Sequence, residues 1–292
     1  MFKKKTKIGI DIGSAFIKAV EAFKTKNGIY IKEFMKVEKK EDEEDILSLL
    51  KDIRLKMGKK NVVFGLPSKQ IVYRNISLPK MNSKELKEAV YWEAQDFSMV
   101  IKDDFTFDYE IISENDQNAQ ILLAAASTAV IKEYIKIFEK AGFFVEAVDV
   151  YPLAVSRVFK EKFKEKVIVI LDLGQSHSEA AILENGILFF SKTFNFSVSS
   201  ERSKIVEFIQ EFTRFIDYYS IQRKGKEVEK IVLIGGGSKV SYIAGMLFEN
   251  LSSEIIFARD LKPEELKVYA LKNTSFFDLS DYCNALGFAM RG

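Results

Sequence analysis

The amino-acid sequence predicts an α/β fold in which two duplicated lobes face each other across a cleft. Residues 8–21 read IGIDIGSAFIKAVE, and residues 169–182 read VILDLGQSHSEAAI. Each stretch is an apolar strand that ends in Asp, an aliphatic residue and Gly, followed by a short turn and a returning strand. A third stretch, residues 230–247, reads as a strand, three glycines and a helix. With 292 residues, the chain is long enough for two domains.

The similarity of the two hairpins extends beyond their turns. Each hairpin continues to an Asn-Gly pair, at Asn27–Gly28 and at Asn185–Gly186, and this dipeptide is a strong hairpin signal. Asp11 and Asp172 are separated by 161 positions, which is more than half of the chain. This spacing indicates duplication of a whole domain rather than a short repeat.

Between the two hairpins, the sequence alternates between strand and helix patterns. A charged run at 38–45 leads into an amphipathic helix with apolar positions from Ile46 to Ile53. Asn82 offers an N-cap to the next helix, and Gly142 ends a third. The other predicted elements are two strands within 61–79, strands at 105–115, 119–127 and 145–150, and a helix over 151–163.

Composition argues against several classes of function. Lys and Arg (44) nearly balance Asp and Glu (42), and the net charge of +2 does not indicate nucleic-acid binding. Cys283 is the only cysteine and His177 the only histidine, which excludes an intramolecular disulfide and argues against thiolate or histidine metal sites. The apolar run after the basic N-terminal residues is too short for a signal peptide or a membrane span, so a cytoplasmic location is expected.

The paired aspartates indicate a ligand-binding cleft. Two facing hairpins can hold a triphosphate between them, with turn N–H groups on the phosphate oxygens. Asp11 and Asp172 then need a cation beside the phosphates, and Mg²⁺ bound through water supplies it. Three glycines at 235–237 allow close approach of the backbone to a ligand. The alternatives are that both aspartates only cap their turns, and that Lys18 faces solvent instead of a phosphate.

These motifs resemble the superfamily of actin, Hsp70 and sugar kinases, and three longer stretches narrow the resemblance. Residues 66–97, 122–157 and 211–222 are similar to the PilM family of type IV pilus assembly proteins, relatives of the division protein FtsA. The similarity runs over nearly the whole chain. The motifs between residues 78 and 94 are specific to this family rather than to the superfamily.

The resemblance implies an actin-like, ribonuclease H-like α/β fold of two lobes, residues 1–160 and 161–292, with a small subdomain inserted at about 35–115. It implies ATP and Mg²⁺ in the cleft between the lobes. It also implies a cytoplasmic adaptor of type IV pilus assembly, or of related type II secretion, that binds the N-terminal cytoplasmic tail of the inner-membrane protein PilN. The resemblance further implies that the protein contacts pilus motor proteins, is recruited to the inner face of the membrane and forms a homo-oligomer.

The resemblance assigns roles to individual residues. It places Asp11 and Asp172 at the Mg²⁺, and it leads us to expect contacts of Trp92 and Phe97 with the partner peptide. The nucleotide is expected to contact both phosphate loops, the helix over 211–222 and the glycine turn. The residues concerned are Asp11, Gly13, Ser14, Lys18, Asp172, Gly174, Gln175, Ser176, Glu211, Gly235, Gly236 and Gly237.

Two positions depart from the family pattern. Many relatives carry an acidic residue before a proline, whereas this chain has Tyr151 before Pro152, and nearby Asp149 is expected to point away. The loss of a general base typically lowers the rate by a factor of about 10²–10⁴, so at most a weak ATPase is expected. Residues 191–204 also lack the Gly-Gly pair of relatives, and bulkier side chains there would narrow the cleft. The alternatives are a scaffold that has lost nucleotide binding and a sugar or acetate kinase.

Overall fold

The computed structural model describes residues 6–39, 43–58, 61–271 and 277–291, and these residues form three β-sheets flanked by helices. A six-stranded sheet forms the body of the first lobe, and a five-stranded sheet forms the body of the second. A three-stranded antiparallel sheet belongs to a small subdomain inserted into the first lobe. The predicted mixed α/β fold class is confirmed.

The strands and α-helices of the described residues are numbered in chain order. None of these helices has the length and apolar character needed to cross a membrane. The elements are β1 (Lys7–Ile12), β2 (Phe16–Thr25), β3 (Gly28–Glu38), α1 (Glu43–Met57), β4 (Asn61–Gly65), β5 (Ile71–Pro79), α2 (Ser83–Ala94), β6 (Phe105–Glu114), β7 (Asn118–Ser127), α3 (Thr128–Lys140), β8 (Phe144–Asp149), α4 (Tyr151–Phe159), β9 (Val167–Leu173), β10 (Ser178–Glu184), β11 (Ile187–Phe194), α5 (Arg202–Gln222), β12 (Lys230–Ile234), α6 (Ser241–Asn250), β13 (Glu254–Phe257), β14 (Val268–Ala270) and α7 (Leu279–Ala289).

The six-stranded sheet has the order β14-β3-β2-β1-β4-β8. β1, β2 and β3 form an antiparallel meander, whereas β4 runs parallel to β1 and β8 runs parallel to β4. Helices α1 and α3 pack on this sheet, and their inward side chains, such as Leu50 and Phe138, are fully buried against Ile8 and Ile10. The burial of this apolar face holds β1 rigidly up to the turn that follows it.

The five-stranded sheet repeats five of the six strands of the first sheet, all except β14. Its order, β11-β10-β9-β12-β13, corresponds to β3-β2-β1-β4-β8, with the same antiparallel meander and the same two parallel strands. Helices α5 and α6 contribute to an apolar core in which the rings of Phe194, Phe208 and Phe212 contact one another. The duplication that the two hairpins predict is therefore a duplication of a five-stranded unit.

The small subdomain consists of the sheet β5-β7-β6 and helix α2. Asn82 caps α2 by accepting hydrogen bonds from two backbone N–H groups of the first turn, and the Glu85 side chain accepts from the Asn82 N–H. This capping box defines the start of the helix. The expected bounds of about 35–115 differ from this sheet, because β4 at 61–65 pairs with β1 and β7 continues to Ser127.

Helix α7 lies between the lobes and packs on both sheets. Its buried residues share one core with β2, β3, β9, β10 and α4. A Cβ on Gly9 of β1 would collide with the Ala285 carbonyl oxygen, and a Cβ on Gly287 would collide with the Ala154 carbonyl oxygen. Glycine at both positions lets α7 approach its neighbours this closely. β14 also pairs with β3, so C-terminal elements expected in the second lobe join the first-lobe sheet.

Candidate functional site

The turns of the two duplicated hairpins meet in one cleft between the lobes. The cleft has a volume of about 360 Å³ and is lined by the β1–β2 turn, the β9–β10 turn, the glycine turn after β12 and helix α7. Asp11 comes from the first lobe and Asp172 from the second, and both line this cavity. The two acidic turns therefore face each other across a single crevice.

The first hairpin places Asp11 beside a lysine. Asp11 and Lys18 are paired across β1 and β2, and Lys18 Nζ lies 3.9 Å from Asp11 Oδ2. The turn is closed by the Gly13 N–H, which donates to the Phe16 carbonyl at 2.9 Å. Burial raises the pKa of Asp11, although the Lys18 charge opposes this rise. A cation in the cleft would stabilise the ionised form of this carboxyl.

The second hairpin has the same geometry, but its returning strand carries the opposite charge. Asp172 and Glu179 are paired across β9 and β10, and the Gly174 N–H donates to the His177 carbonyl at 3.1 Å. Ser176 Oγ lies 2.9 Å from His177 Nδ1, so the only histidine of the chain is held within the turn. Burial lowers the pKa of the His177 imidazole, which keeps the ring neutral at pH 7.

Glu179 is a buried carboxyl beside the second acidic turn. Burial raises its pKa to about 8; the charges of Asp172 and Asp11 add to this rise, and hydrogen bonds from Ser68 and Thr193 oppose it. The carboxyl is therefore mostly protonated at pH 7. It adds little negative charge to the cleft at that pH, although the strand register places it opposite Asp172.

The glycine turn after β12 packs directly on the second hairpin. Gly235 has a φ of 81°, a conformation that glycine adopts without steric strain, and its N–H donates to the Ser280 carbonyl at 2.8 Å. A Cβ at this position would overlap Asp172 Oδ1 and lie 2.8 Å from the Leu173 carbonyl oxygen. Glycine is needed here for the backbone angle and for the close approach of Asp172. Gly236, by contrast, has open space around it.

Helix α7 adds a cleft residue that sequence reasoning missed. Asn284 Nδ2 donates to Asp172 Oδ2 at 2.9 Å. The same amide opposes the rise in the pKa of Asp11, so it influences the carboxyls of both lobes. Its Oδ1 is buried and has no hydrogen-bond partner among the described residues. No local motif marks Asn284, because only the packing of α7 between the sheets brings it to the aspartates.

A network of ion pairs lies beside the cleft, and two of its residues, Lys36 and Asp281, line the cavity. Asp281 of α7 accepts hydrogen bonds from Lys36 of β3 at 3.2 Å and from Lys239, which follows the glycine turn, at 2.8 Å. Asp278 contacts Lys239 at 3.0 Å. Burial alone would raise the pKa of Asp281, but its hydrogen bonds and charge interactions with the two lysines hold it below its ordinary value. The network connects the first lobe, α7 and the second lobe.

The cleft brings together most of the predicted nucleotide-binding residues, and two of them lie elsewhere. Glu211 on α5 pairs with Lys192 of β11 at 2.8 Å. Gly237 is covered by Val198, whose Cγ1 occupies the space that a Cβ would need. The predicted residues that line the cleft are Asp11, Gly13, Ser14, Lys18, Asp172, Gly174, Gln175, Ser176, Gly235 and Gly236.

The residues around Pro152 are engaged in structural contacts. Tyr151, at the position where relatives carry an acid, is buried and donates to the Glu179 carbonyl at 3.2 Å. Asp149 is buried in ion pairs with Arg157 at 2.6 Å and Arg291 at 3.2 Å, and it does not line the cleft. Tyr151 lines the cleft, but its hydroxyl donates to the backbone, whereas Asp149 is held in ion pairs outside the cleft lining.

The two residues predicted to contact a partner differ in exposure. Trp92 is 71% exposed on α2, and its ring lies 5.6 Å from that of Tyr91. Phe97 is only 3% exposed and packs in the core of the small subdomain against Phe105. A partner would have to displace this core to reach Phe97, so of the two predicted residues Trp92 is the accessible one.

The oxygen donors of the cleft fit a hydrated divalent cation. Asp11 and Asp172 present carboxylates from opposite lobes, and Asn284, which donates to Asp172, lines the cavity beside them. Mg²⁺ keeps several waters and is usually held by one or two carboxylates together with phosphate oxygens. Within the described ranges, no group of three or more His, Cys, Asp or Glu side chains could hold a metal ion. A cation here would therefore rely on water or phosphate for its remaining ligands.

A family comparison matches most of the chain. The sequence profile of the family described as type IV pilus assembly protein PilM matches residues 9–208. The chain belongs to the PilM family. The PilM match contains both acidic turns and the whole small subdomain, whereas Gly235 and Asn284 lie beyond its end. No curated protein sequence matches the chain.

Solved structures share the fold of this PilM-family chain. A structure titled "PilM-PilN type IV pilus biogenesis complex" has a TM-score of 0.84 at 20% identity and covers 99% of both chains. The cytoplasmic domain of EpsL, an inner-membrane component of the type II secretion system of Vibrio cholerae, has a TM-score of 0.54 at 9% identity and covers 90% of this chain and 93% of that chain. A Bacteroides thetaiotaomicron protein described as having an actin-like ATPase fold has a TM-score of 0.52 at 10% identity and covers 99% of this chain and 97% of that chain. The predicted actin-like fold is confirmed.

Proposed function

We propose that this chain binds Mg-ATP in the cleft between its lobes and acts as a cytoplasmic adaptor in type IV pilus assembly. In this role it binds the N-terminal cytoplasmic tail of a PilN-like inner-membrane protein, which recruits it to the inner face of the membrane, and it contacts pilus motor proteins. The meeting of Asp11 and Asp172 in one crevice carries the nucleotide part of the proposal. Membership of the PilM family supports the pilus part.

The cleft offers the groups that a triphosphate needs. The Ser14 and Ser176 hydroxyls and the backbone of both turns line it, and Lys18 contributes a positive charge. Asp11 and Asp172 would hold Mg²⁺ through water, and the ion would allow carboxylates and phosphates to lie side by side. When bound, Mg²⁺ neutralises part of the phosphate charge.

We propose that hydrolysis is slow or absent. Asp149 forms ion pairs with Arg157 and Arg291, and the Tyr151 hydroxyl donates to a backbone carbonyl. Glu179 has a pKa of about 8, so below that pH it is mostly protonated and cannot accept a proton from water. Without a positioned general base, the hydrolysis rate is lower by a factor of about 10²–10⁴.

Thermal unfolding with and without nucleotide tests the nucleotide part. A ligand at 100 times its Kd stabilises the folded state by about 2.7 kcal/mol, which is a measurable rise in Tm. We expect Mg-ATP to raise Tm, and Asp11→Asn and Asp172→Asn to abolish the rise. Asp217→Asn, an exposed position on α5, is the matched control and should keep it. The absence of a shift in the wild type at millimolar Mg-ATP would refute nucleotide binding.

A second cavity supports a binding groove for the tail. This cavity, of about 380 Å³, is bordered by β6 of the small subdomain, α4 of the first lobe and the β10–β11 turn. Ile111 and Ile187 line it and are 42% and 44% exposed, and Leu153 of α4 lines it as well. Grooves of this kind take apolar side chains of an extended peptide. The fold shared with a structure titled as a PilM-PilN complex supports a PilN-like tail as the occupant.

Fluorescence anisotropy with a labelled tail peptide tests this placement. Ile111→Asp places a charge in the groove and should weaken binding at least about tenfold. Leu55→Ala, at a 79% exposed position on α1, is the control and should leave affinity unchanged. Loss of binding only in Trp92→Ala would move the groove to the outer face of α2. Unchanged affinity in both test variants would refute both placements, and no binding by the wild type would refute the partner.

A further inference from the structure

We infer that Lys69 is a ligand-binding residue of the cleft, which contacts the terminal phosphate of a nucleoside triphosphate and so favours a triphosphate over a diphosphate. This inference rests on the proposed function and specifies its ligand. Lys69 lies in a short 3-10 turn, Ser68–Gln70, between β4 of the large sheet and β5 of the small subdomain. Its role follows from the duplication of the two lobes.

The turn that contains Lys69 is the first-lobe counterpart of the glycine turn. β4 runs parallel to β1 as β12 runs parallel to β9, and a 3-10 turn follows each strand, at Ser68–Gln70 and at Gly236–Lys239. Each turn contains a buried serine followed by a lysine, Ser68–Lys69 in one and Ser238–Lys239 in the other. Both turns contribute residues to the lining of the cleft. The duplication therefore includes a third pair of elements beside the two acidic turns.

The lysines of the two turns differ in what they contact. Lys239 forms ion pairs with Asp278 at 3.0 Å and with Asp281 at 2.8 Å, so its charge is balanced at helix α7. Lys69 is exposed and lines the cavity, and it forms no ion pair with any residue that the structure describes. An ammonium group without a carboxylate partner at the wall of this cleft can bind a phosphate.

The charge of Lys69 acts across the cleft on the second lobe. Burial lowers the pKa of His177 in the second acidic turn; the charge of Asp172 opposes this lowering, and the charge of Lys69 adds to it. The ammonium group of a first-lobe residue therefore influences the second acidic turn. A phosphate bound between the two turns would experience the same positive charge.

The other lysines of the cleft are placed differently. Lys18 and Lys36 each pair with an aspartate, at 3.9 Å and 3.2 Å. Lys39 also lines the cleft, but it follows β3, which lies on the side of β1 away from β4. Within the described ranges, Lys69 is therefore the lysine that lines the β4 side of the cleft and has no carboxylate partner.

The two equivalent turns offer different surroundings to the ends of a ligand. In the second lobe, Gly236 lines the cleft and has open space around it, which leaves room for a bulky uncharged group. In the first lobe, the equivalent turn presents the Lys69 ammonium group. A nucleoside triphosphate is bulky and nearly neutral at its nucleoside and most highly charged at its terminal phosphate. The nucleoside therefore matches the glycine turn, and the terminal phosphate matches Lys69.

Isothermal titration calorimetry of the full chain with Mg-ATP and with Mg-ADP tests the inference. Lys69→Met removes the charge and keeps a long side chain, and we expect it to weaken Mg-ATP binding at least about tenfold and Mg-ADP binding by less than about twofold. Lys87→Met, at an exposed position on α2, is the matched control and should change neither affinity. Because Lys69 is exposed, its substitution should leave the Tm of the unliganded protein unchanged.

Three outcomes would overturn the inference. Unchanged Mg-ATP affinity in Lys69→Met would mean that the ammonium group does not contact the ligand. An equal loss of affinity for Mg-ATP and Mg-ADP would mean that it does not select the terminal phosphate. Both of these outcomes leave the proposed function intact, whereas the absence of Mg-ATP binding by the wild type would overturn the proposed function together with the inference.

Lys239→Met tests the division of roles between the two turns. Because Lys239 pairs with Asp278 and Asp281, its substitution should lower the Tm of the unliganded protein and change Mg-ATP and Mg-ADP affinity by the same factor. A loss of Mg-ATP binding alone in Lys239→Met, without such a loss in Lys69→Met, would assign the terminal phosphate to the glycine turn and overturn the inference.

Discussion

Gly235→Ala tests whether the glycine turn holds Asp172 in place. Gly235 has a φ of 81° and a ψ of 171°, a backbone region nearly confined to glycine that costs a residue with a Cβ about 1–3 kcal/mol. The new Cβ would overlap Asp172 Oδ1, so the carboxylate has to rotate and lose the hydrogen bond from Asn284. A hydrogen bond to a charged group contributes about 1.5–3 kcal/mol. Together these effects predict a loss of about 2.5–6 kcal/mol in the free energy of unfolding.

Gly236→Ala is the matched control. Gly236 lies next in the chain, has open space around it and lacks a left-handed φ, so its substitution should change stability by no more than about 0.5 kcal/mol. Urea unfolding of both variants in EDTA measures the difference. For chains of this size about 1 kcal/mol corresponds to about 2–4 °C in Tm, so Gly235→Ala should lower Tm by at least about 5 °C. Equal stability of the two variants would refute the close contact between the turn and Asp172.

Three further substitutions test other parts of the structure. Because the pKa of Glu179 is about 8 in the folded state and 4.5 ordinarily, wild-type stability should fall as pH rises from 5 to 8, by up to about 1.4 kcal/mol per unit. We expect urea unfolding in EDTA to show that Glu179→Gln lacks this pH-dependent loss of stability. An unchanged slope of unfolding free energy against pH would contradict the burial of an ionisable carboxyl. Asn284→Leu removes the amide that donates to Asp172, so it should lower the unfolding free energy in EDTA by about 1.5–3 kcal/mol, with a smaller loss in Mg²⁺. The same loss in both buffers would argue against a cation between the aspartates. Gly9→Ala should greatly reduce the soluble yield, because its Cβ would collide with α7. Gly245→Ala on α6, with open space around it, is the control and should not reduce the yield. A normal yield of Gly9→Ala would contradict the close packing of α7 on β1.

The duplicated hairpins were predictable because their signals are local. Strand alternation, the Asp-x-Gly turns and the Asn-Gly pairs each depend on a few neighbouring residues. The structure places Gly13 and Gly174 in equivalent turn hydrogen bonds, to Phe16 and His177. Two copies of a local signal in one chain predicted the architecture because a repeated unit folds into the same sheet order twice.

The bounds of the small subdomain were not predictable to the same degree. The strand pattern at 61–79 contains β4 and β5, which follow each other in the chain but join different sheets. Alternation of apolar and polar residues indicates a strand but does not identify its hydrogen-bonding partner. The choice between the large sheet and the small sheet depends on residues far apart in the chain.

The sequence by itself determined the α/β class, the two acidic turns and the PilM family, since turn chemistry, periodicity and family motifs are all read along the chain. The tertiary structure alone decided that Asn284 donates to Asp172, that Val198 covers Gly237, and that burial raises the pKa of Glu179. These features arise from the packing of α7 and of the segment before α5 against distant strands. Burial and contact depend on the three-dimensional neighbours of a residue, and no local pattern specifies those neighbours.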